Sequence, residues 1–226
     1  YSIKSYKLAD VIKLNNVKKI DLLKIDTEGH ELQVLKGIGS YMKKNISYIL
    51  IEFHNSDIRK RTVDGFMSRY HVDQKQASRV SSLAIELAQS INEDWPINHL
   101  NGLPLLKAVA QLHEIGLLIE YKQYHKHTAY ILENTDMPGF SQSEHRLIVA
   151  VADAHRSDIP KDSFNALGAN NLLAQYIVRL LRVSVILSMR RQDDVLPHFE
   201  LTAKNEVLTL TFENNWLKEH PLMASE

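Results

Sequence analysis

The chain has no cysteine, which removes disulfides and cysteine-ligated zinc from consideration. A reducing compartment fits that composition, and a cytoplasmic location is expected. No charge of one sign dominates: 27 Lys+Arg balance 27 Asp+Glu, which argues against a dedicated nucleic-acid binder and gives no general attraction to anionic membranes. No apolar run approaches the roughly 18 residues of a membrane span, and Tyr1-Ser2-Ile3-Lys4 opens no signal-peptide core. An initiator methionine is missing, so a trimmed chain or a fragment is expected. Internal repeats and low-complexity linkers are missing too. What is there is 226 residues with 44% hydrophobic content, enough for a real core in one large or two modest domains.

Residues 1–55 alternate between helical and strand patterns. Leu8, Val11, Ile12 and Leu14 have near-helical spacing, while Ile20 to Ile25 and Tyr48 to Phe53 are short buried-type strand runs. Between them Glu31 to Leu35 predicts a helix that stops near Gly37 and Gly39, so the segment spells a βαβ unit. Asp26 and Glu28 follow the first strand, and Glu52 and His54 close the second, at the edge where parallel α/β sheets bind ligands. On spacing alone Asp26 and Glu28 are better explained as carboxylates favoured at the start of the following helix.

The run Ile20-Asp21-Leu22-Leu23-Lys24-Ile25-Asp26-Thr27-Glu28-Gly29-His30-Glu31, with Val34-Leu35-Lys36-Gly37 and Ile49-Leu50-Ile51-Glu52, resembles the FkbM-type S-adenosylmethionine-dependent methyltransferases. The resemblance implies the distal half of a Rossmann-like methyltransferase, with Asp26, Glu28 and Glu52 on its catalytic edge. That family seats its cofactor on a glycine-rich turn and an acidic residue after two earlier strands, and neither strand is present here. No cofactor is expected to be held by this chain alone.

After Asn55 the pattern changes. Ser56 or Asp57 can cap a helix, and helical periodicity continues to about residue 192. Val80, Leu83, Ala84, Leu87, Ala88 and Ile91 form one apolar stripe, and Leu105, Leu106, Val109 and Leu112 form another. Asp136-Met137-Pro138-Gly139 breaks the pattern, and Ser141 to Glu144 spells a capping box that restarts it. A long helix follows through Leu172, Tyr176, Leu180 and Val185. The period then drops to two: Leu208, Leu210 and Phe212 alternate with threonines, and Phe199 and Leu201 offer a partner strand across a turn at Lys204-Asn205. At the end of one apolar stripe stands His113-Glu114, with His125 and His127 soon after. A histidine beside a carboxylate at the end of a buried helix is half of what an HD-type metallohydrolase needs.

Ser56 to Val63, Tyr70-His71-Val72-Asp73, Gln76 to Val80, Gln111 to Leu117, Ala129 to Leu132, Asp136 to Phe140, Leu180 to Val183 and Asn215-Trp216-Leu217 resemble, in fixed order, the exopolyphosphatase and guanosine pentaphosphate phosphohydrolase family. Arg190 to Asp194 and Val207 to Thr211 lean toward its guanosine pentaphosphate branch. The resemblance implies the C-terminal half of those enzymes: an HD-like helical domain and a small terminal αβ module. The catalytic glutamate and phosphate-binding glycine loops of that family lie in two N-terminal domains that nothing here matches. The HD positions fall on Gln76, His113, Glu114 and Val185, so two of the four ligand types are lost and no metal is expected. His125, His127 and His155 are more simply solvated or hydrogen-bonded.

The basic residues Arg59, Arg61, Lys126, Arg156, Arg182, Arg190 and Arg191, with Lys60 and Arg179, lie in the part that borders a polyphosphate or nucleotide path in that family. They are candidate phosphate contacts, against the alternative of a solvated surface. The expected fold is α+β: a truncated Rossmann-like segment over 1–55, an HD-like helical domain over 56–192, and a hairpin and helix over 193–226. The expected function is a non-catalytic domain that binds a phosphate chain, as polyphosphate or guanosine polyphosphate, or mediates a homodimer. A methyltransferase completed by a partner chain and a fusion without function of its own stay open.

Overall fold

The computed structural model describes residues 6–27, 31–39, 45–51, 56–157, 159, 162, 164–193 and 196–221. It divides into two compact units, Tyr1–Lys60 and Arg61–Glu226, and one helix runs through the division. The fold is α+β, as the sequence predicts, with two small two-stranded sheets among the described residues.

In the first unit α1 (Leu8–Leu14), β1 (Ile20–Ile25), α2 (Glu31–Ile38) and β2 (Ile46–Ile51) follow in order. β1 and β2 pair in parallel, from Ile20 opposite Ile46 to Ile25 opposite Ile51. Parallel pairing needs a crossover, and α2 is part of it. Gly39, at φ +58°, is the left-handed stop of α2, so of the two predicted glycines the second terminates the helix and Gly37 lies inside it. The core described here is small: Ile12, Ile25 and Ile38 are buried, while Leu22, Tyr48 and Leu50 are 62%, 73% and 55% exposed.

The second unit is helical. α3 (Ser56–Arg69) leads into α4 (Gln74–Ser90), whose cap Asp73 accepts hydrogen bonds from the Lys75 and Gln76 amides. α5 (Gly102–Leu112), α6 (Tyr124–Glu133), α7 (Gln142–Ala154) and α8 (Asn171–Leu187) follow. The predicted capping box is formed: Ser141 accepts from the Glu144 amide, and Glu144 accepts from the Ser141 amide. α8 buries side chains around much of its circumference, among them Leu173, Ile177, Val178, Leu180 and Leu181, which marks it as the central helix. The α4 stripe of Val80, Ala84, Leu87 and Ala88 packs into the same core.

β3 (Phe199–Lys204) and β4 (Val207–Phe212) form an antiparallel hairpin across Asn205, whose φ of 53° suits such a tight turn. The hairpin is joined to the helices: Trp95 donates its indole N–H to the Asn205 carbonyl at 2.7 Å and stacks on Tyr176. α9 (Trp216–Glu219) is one short turn. No helix among the described residues is long and apolar enough to cross a membrane.

Candidate functional site

Two histidines end two helices in the same way. His113 follows α5 and His155 follows α7, and each ring Nδ1 lies 2.7 Å from the carbonyl three residues earlier, Ala110 and Ala152 respectively. A carbonyl oxygen only accepts, so each Nδ1 carries the proton and each Nε2 keeps a lone pair. Both rings are 1% exposed and meet edge to face at 5.8 Å. Their Nε2 atoms, and Nδ1 of His125, are buried with no hydrogen-bond partner among the described residues. Burial lowers the His113 pKa to about 4 and holds that of His155 well below the usual value, so both are neutral near pH 7.

The backbone around His113 is locked by Gly116. The Gly116 amide donates to Thr128 Oγ1 at 3.0 Å, and that hydroxyl donates to the His113 carbonyl at 2.9 Å. A Cβ on Gly116 would meet the Tyr124 carbonyl and the Thr128 amide inside contact distance, so glycine is required for α6 to approach. This close approach is why Gly116 follows the His113-Glu114 pair.

Glu114 and Arg156, one residue beyond the two histidines, face a pocket of about 220 Å³. It is lined by Gln76, Glu114, Leu117, Tyr121, Tyr124, His155, Arg156, Arg182, Val185, Ile186, Met189 and Arg191. Three of the four positions that the sequence resemblance aligns with HD ligands, Gln76, Glu114 and Val185, thus share one cavity with three of the candidate arginines. Arg191 spans the site: it donates to Glu114 Oε1 at 2.5 Å and to Asp73 Oδ2 at 3.1 Å. Burial raises the Glu114 pKa, with the Arg191 guanidinium opposing it. The Gln76 amide at the start of α4 has the largest effect and holds the Asp73 carboxyl low against burial, with the Lys75 amide and Arg191 adding to it. Arg156 lies 5.0 Å over the Tyr124 ring, and burial pushes that phenol up to about 12. Arg182 donates to the Ser157 carbonyl at 2.9 Å.

These residues do not fit an HD metal. Gln76 donates to the Ser188 carbonyl at 3.0 Å and accepts from Arg79 at 2.5 Å, Val185 offers no donor atom, and the Glu114 carboxylate is engaged by a guanidinium. Among the described residues no group of three His, Cys, Asp or Glu is arranged to hold an ion. A fixed organic cation balances the carboxylate instead.

The other candidates lie elsewhere. Lys126 pairs with Asp153 at 2.8 Å, Arg190 donates to His220 at 3.2 Å, and Arg61 lines a shallow groove with Arg69 and Pro138. His127 faces Glu120 at 4.0 Å. Arg59 belongs to the first unit. There Asp26 pairs with Lys24 at 3.2 Å, while Glu28 and Glu52 lie outside the described residues. No glycine precedes Gly29 in the sequence, so these residues themselves form no glycine-rich turn of the kind that seats S-adenosylmethionine. A larger, open groove of about 990 Å³ along α4 and β3 contains none of the candidate residues.

Sequence reasoning missed Asp73 and Tyr124 as parts of the site and treated His155 as scattered. The signal for His155 was its likeness to His113: a histidine ending an apolar helix, followed at once by a charged residue.

Comparison with known proteins bears on both units. A family model described as Ppx/GppA phosphatase, domain III, matches residues 58–226, and one described as methyltransferase FkbM domain matches residues 2–76. The guanosine-5'-triphosphate,3'-diphosphate pyrophosphatase of Pseudoalteromonas translucida (strain TAC 125) is 67% identical over 200 residues, 88% of this chain and 40% of that protein. The protein of the same name from Aeromonas salmonicida (strain A449) is 39% identical over 190 residues, 83% of this chain and 38% of that protein. That from Vibrio vulnificus (strain YJ016) is 34% identical over 200 residues. The chain therefore spans about 40% of the length of the curated relatives it matches. A match over 200 residues is longer than the stretch 56–226, so it reaches back into the segment that the methyltransferase model also covers.

Proposed function

Because the chain belongs to the Ppx/GppA phosphatase family through its domain III, we propose that its helical unit is a non-catalytic domain that binds a phosphate-chain ligand, polyphosphate or a guanosine polyphosphate. The observation that carries this is the convergence of Arg156, Arg182 and Arg191 on one pocket. Guanidinium groups donate in a planar fork that matches phosphate oxygens. Arg191 already acts as the cation of the site, since it bridges two carboxylates that an anionic ligand can replace. The relatives' name, a guanosine polyphosphate pyrophosphatase, agrees with this ligand class. The test is calorimetric titration of the chain with tripolyphosphate at rising salt. Binding that weakens with salt and falls at least tenfold in Arg156→Ala supports the proposal. Absence of binding, or binding indifferent to Arg156→Ala and Arg191→Ala, overturns it.

A second reading concerns the first unit, which self-associates on this proposal into a homodimer through residues 20–55. It rests on the exposed apolar side chains of a two-stranded parallel sheet, Leu22, Tyr48 and Leu50. Parallel sheets are normally covered on both faces, and open strand edges invite pairing. Light scattering is expected to give a dimer for the full chain and a monomer for a chain beginning at Arg61. Two monomers would refute it. The alternative of a methyltransferase completed by a partner chain predicts cofactor binding only when that partner is present.

A further inference from the structure

The open groove of about 990 Å³ shares no lining residue with the anion pocket. Residues of β3 line one side and residues of α4 the other. The two elements run in the same direction, since Arg79 meets Asp193 at one end and Trp95 meets Asn205 beyond the other. Lys204 pairs with Val207 across a two-residue turn, so the backbone bonds from β3 to β4 fall on Lys204, Thr202 and Glu200. The N–H and C=O groups of Phe199 and Leu201 therefore point away from β4, on the edge that borders the groove. No other backbone partner is found for them among the described residues, and the sheet ends at β3. An open edge of this kind accepts a further strand. The α4 side matches it. Ser78 and Ser82 stand one turn apart, ~6 Å, close to the ~7 Å between alternate residues of a strand. No hydrogen bond of either hydroxyl is found among the described residues. Leu83, Leu87 and Leu187 add an apolar lining.

We infer that this groove docks an extended segment of a partner protein, added antiparallel to β3 as a third strand, with a basic residue at its start and an acidic one at its end. Antiparallel pairing is the more stable per residue. The charges follow from α4: Lys75 and Glu86 line the groove ~16 Å apart, and neither has an ion pair among the described residues. Five residues at ~3.4 Å each cover that span. A strand antiparallel to β3 begins beside Glu86 and ends beside Lys75. Its inner edge bonds to Phe199 and Leu201 and its outer edge to the two serine hydroxyls, so the guest backbone finds partners on both sides. Alternate apolar side chains of the guest face the leucines.

The experiment is NMR titration of the full chain with the capped peptide Lys-Val-Thr-Val-Glu and its charge-reversed form Glu-Val-Thr-Val-Lys. The first is expected to bind about fivefold more tightly, as two exposed ion pairs allow. It is expected to slow hydrogen exchange at the Phe199 and Leu201 amides, while those of Glu200 and Thr202, already bonded to β4, change little. The double variant Lys75→Glu with Glu86→Lys is expected to invert the preference, and a thermal melt checks that it folds. Equal affinity for the two peptides, binding without protection of those two amides, a preference that the double variant keeps, or no binding up to millimolar peptide each overturns the inference.

Discussion

In α8 Leu173, Ile177, Leu180 and Leu181 are among nine buried side chains, whereas β1 and β2, richer still in Ile and Leu, bury only Ile25 among their described residues. The difference lies in how each element satisfies its backbone. A helix closes its own hydrogen bonds and needs neighbours only for its side chains, so a handful of helices can form a complete core. A pair of parallel strands satisfies one edge each and presents two faces, so it depends on further strands and covering layers. Among the described residues the helical unit therefore holds an extended buried core, and the α/β unit leaves Leu22, Tyr48 and Leu50 exposed on its strands.

The sharpest test sets equivalent truncations against each other. Leu106, fully buried in α5, is expected to cost about 3 kcal/mol when cut to alanine, while Leu50→Ala on the exposed strand face costs about 0.5 kcal/mol or less. Urea denaturation measures both, and similar costs would break the comparison. Acid separates the units next. Burial lowers the His113 pKa from 6.5 to about 4. The folded unit therefore resists protonation: its stability is full above pH 6.5 and declines as pH falls toward 4, by about 3 kcal/mol for this one imidazole. His155 acts in the same direction. Helical circular dichroism melts across this interval should show the loss, reduced in His113→Phe, and an equal loss in that variant would exclude His113 as the cause.

Gly116→Ala is expected to cost about 2 kcal/mol, because the added methyl meets backbone of α6 rather than a movable side chain. A smaller effect in the same melt would mean that α6 shifts away freely. Asp73→Ala removes the α4 cap and one anchor of Arg191, for a loss of about 1 kcal/mol. If the double variant with Arg191→Ala costs no more than either single change, the two side chains act as a unit.

How legible was this in the sequence? The capping box at Ser141, the stripe on α4, the first strand, the stop at Gly39 and the turn at Asn205 all follow from neighbours within a few residues, and each is found where the pattern places it. The resemblance to the two families was legible for the same reason: short motifs in fixed order. The strand beginning at Ile46 was read two residues late, since Ile46 and Ser47 look like loop until their partner Ile20 is known. The basic residues were named as a group, with nothing to sort the pocket arginines from Lys126, which ends in an ion pair on the surface.

By itself, then, the chain determined its helices, strands and caps, because periodicity, capping and side-chain chemistry act locally. Only the tertiary structure decided that Arg191 reaches Glu114 across 77 residues of sequence and Asp73 across 118. Only packing of α5 on α4 and α7 on α8 brought two helix-ending histidines to 5.8 Å and set Glu114 beside the arginines. Those contacts depend on where whole helices come to rest, which no spacing along the chain encodes.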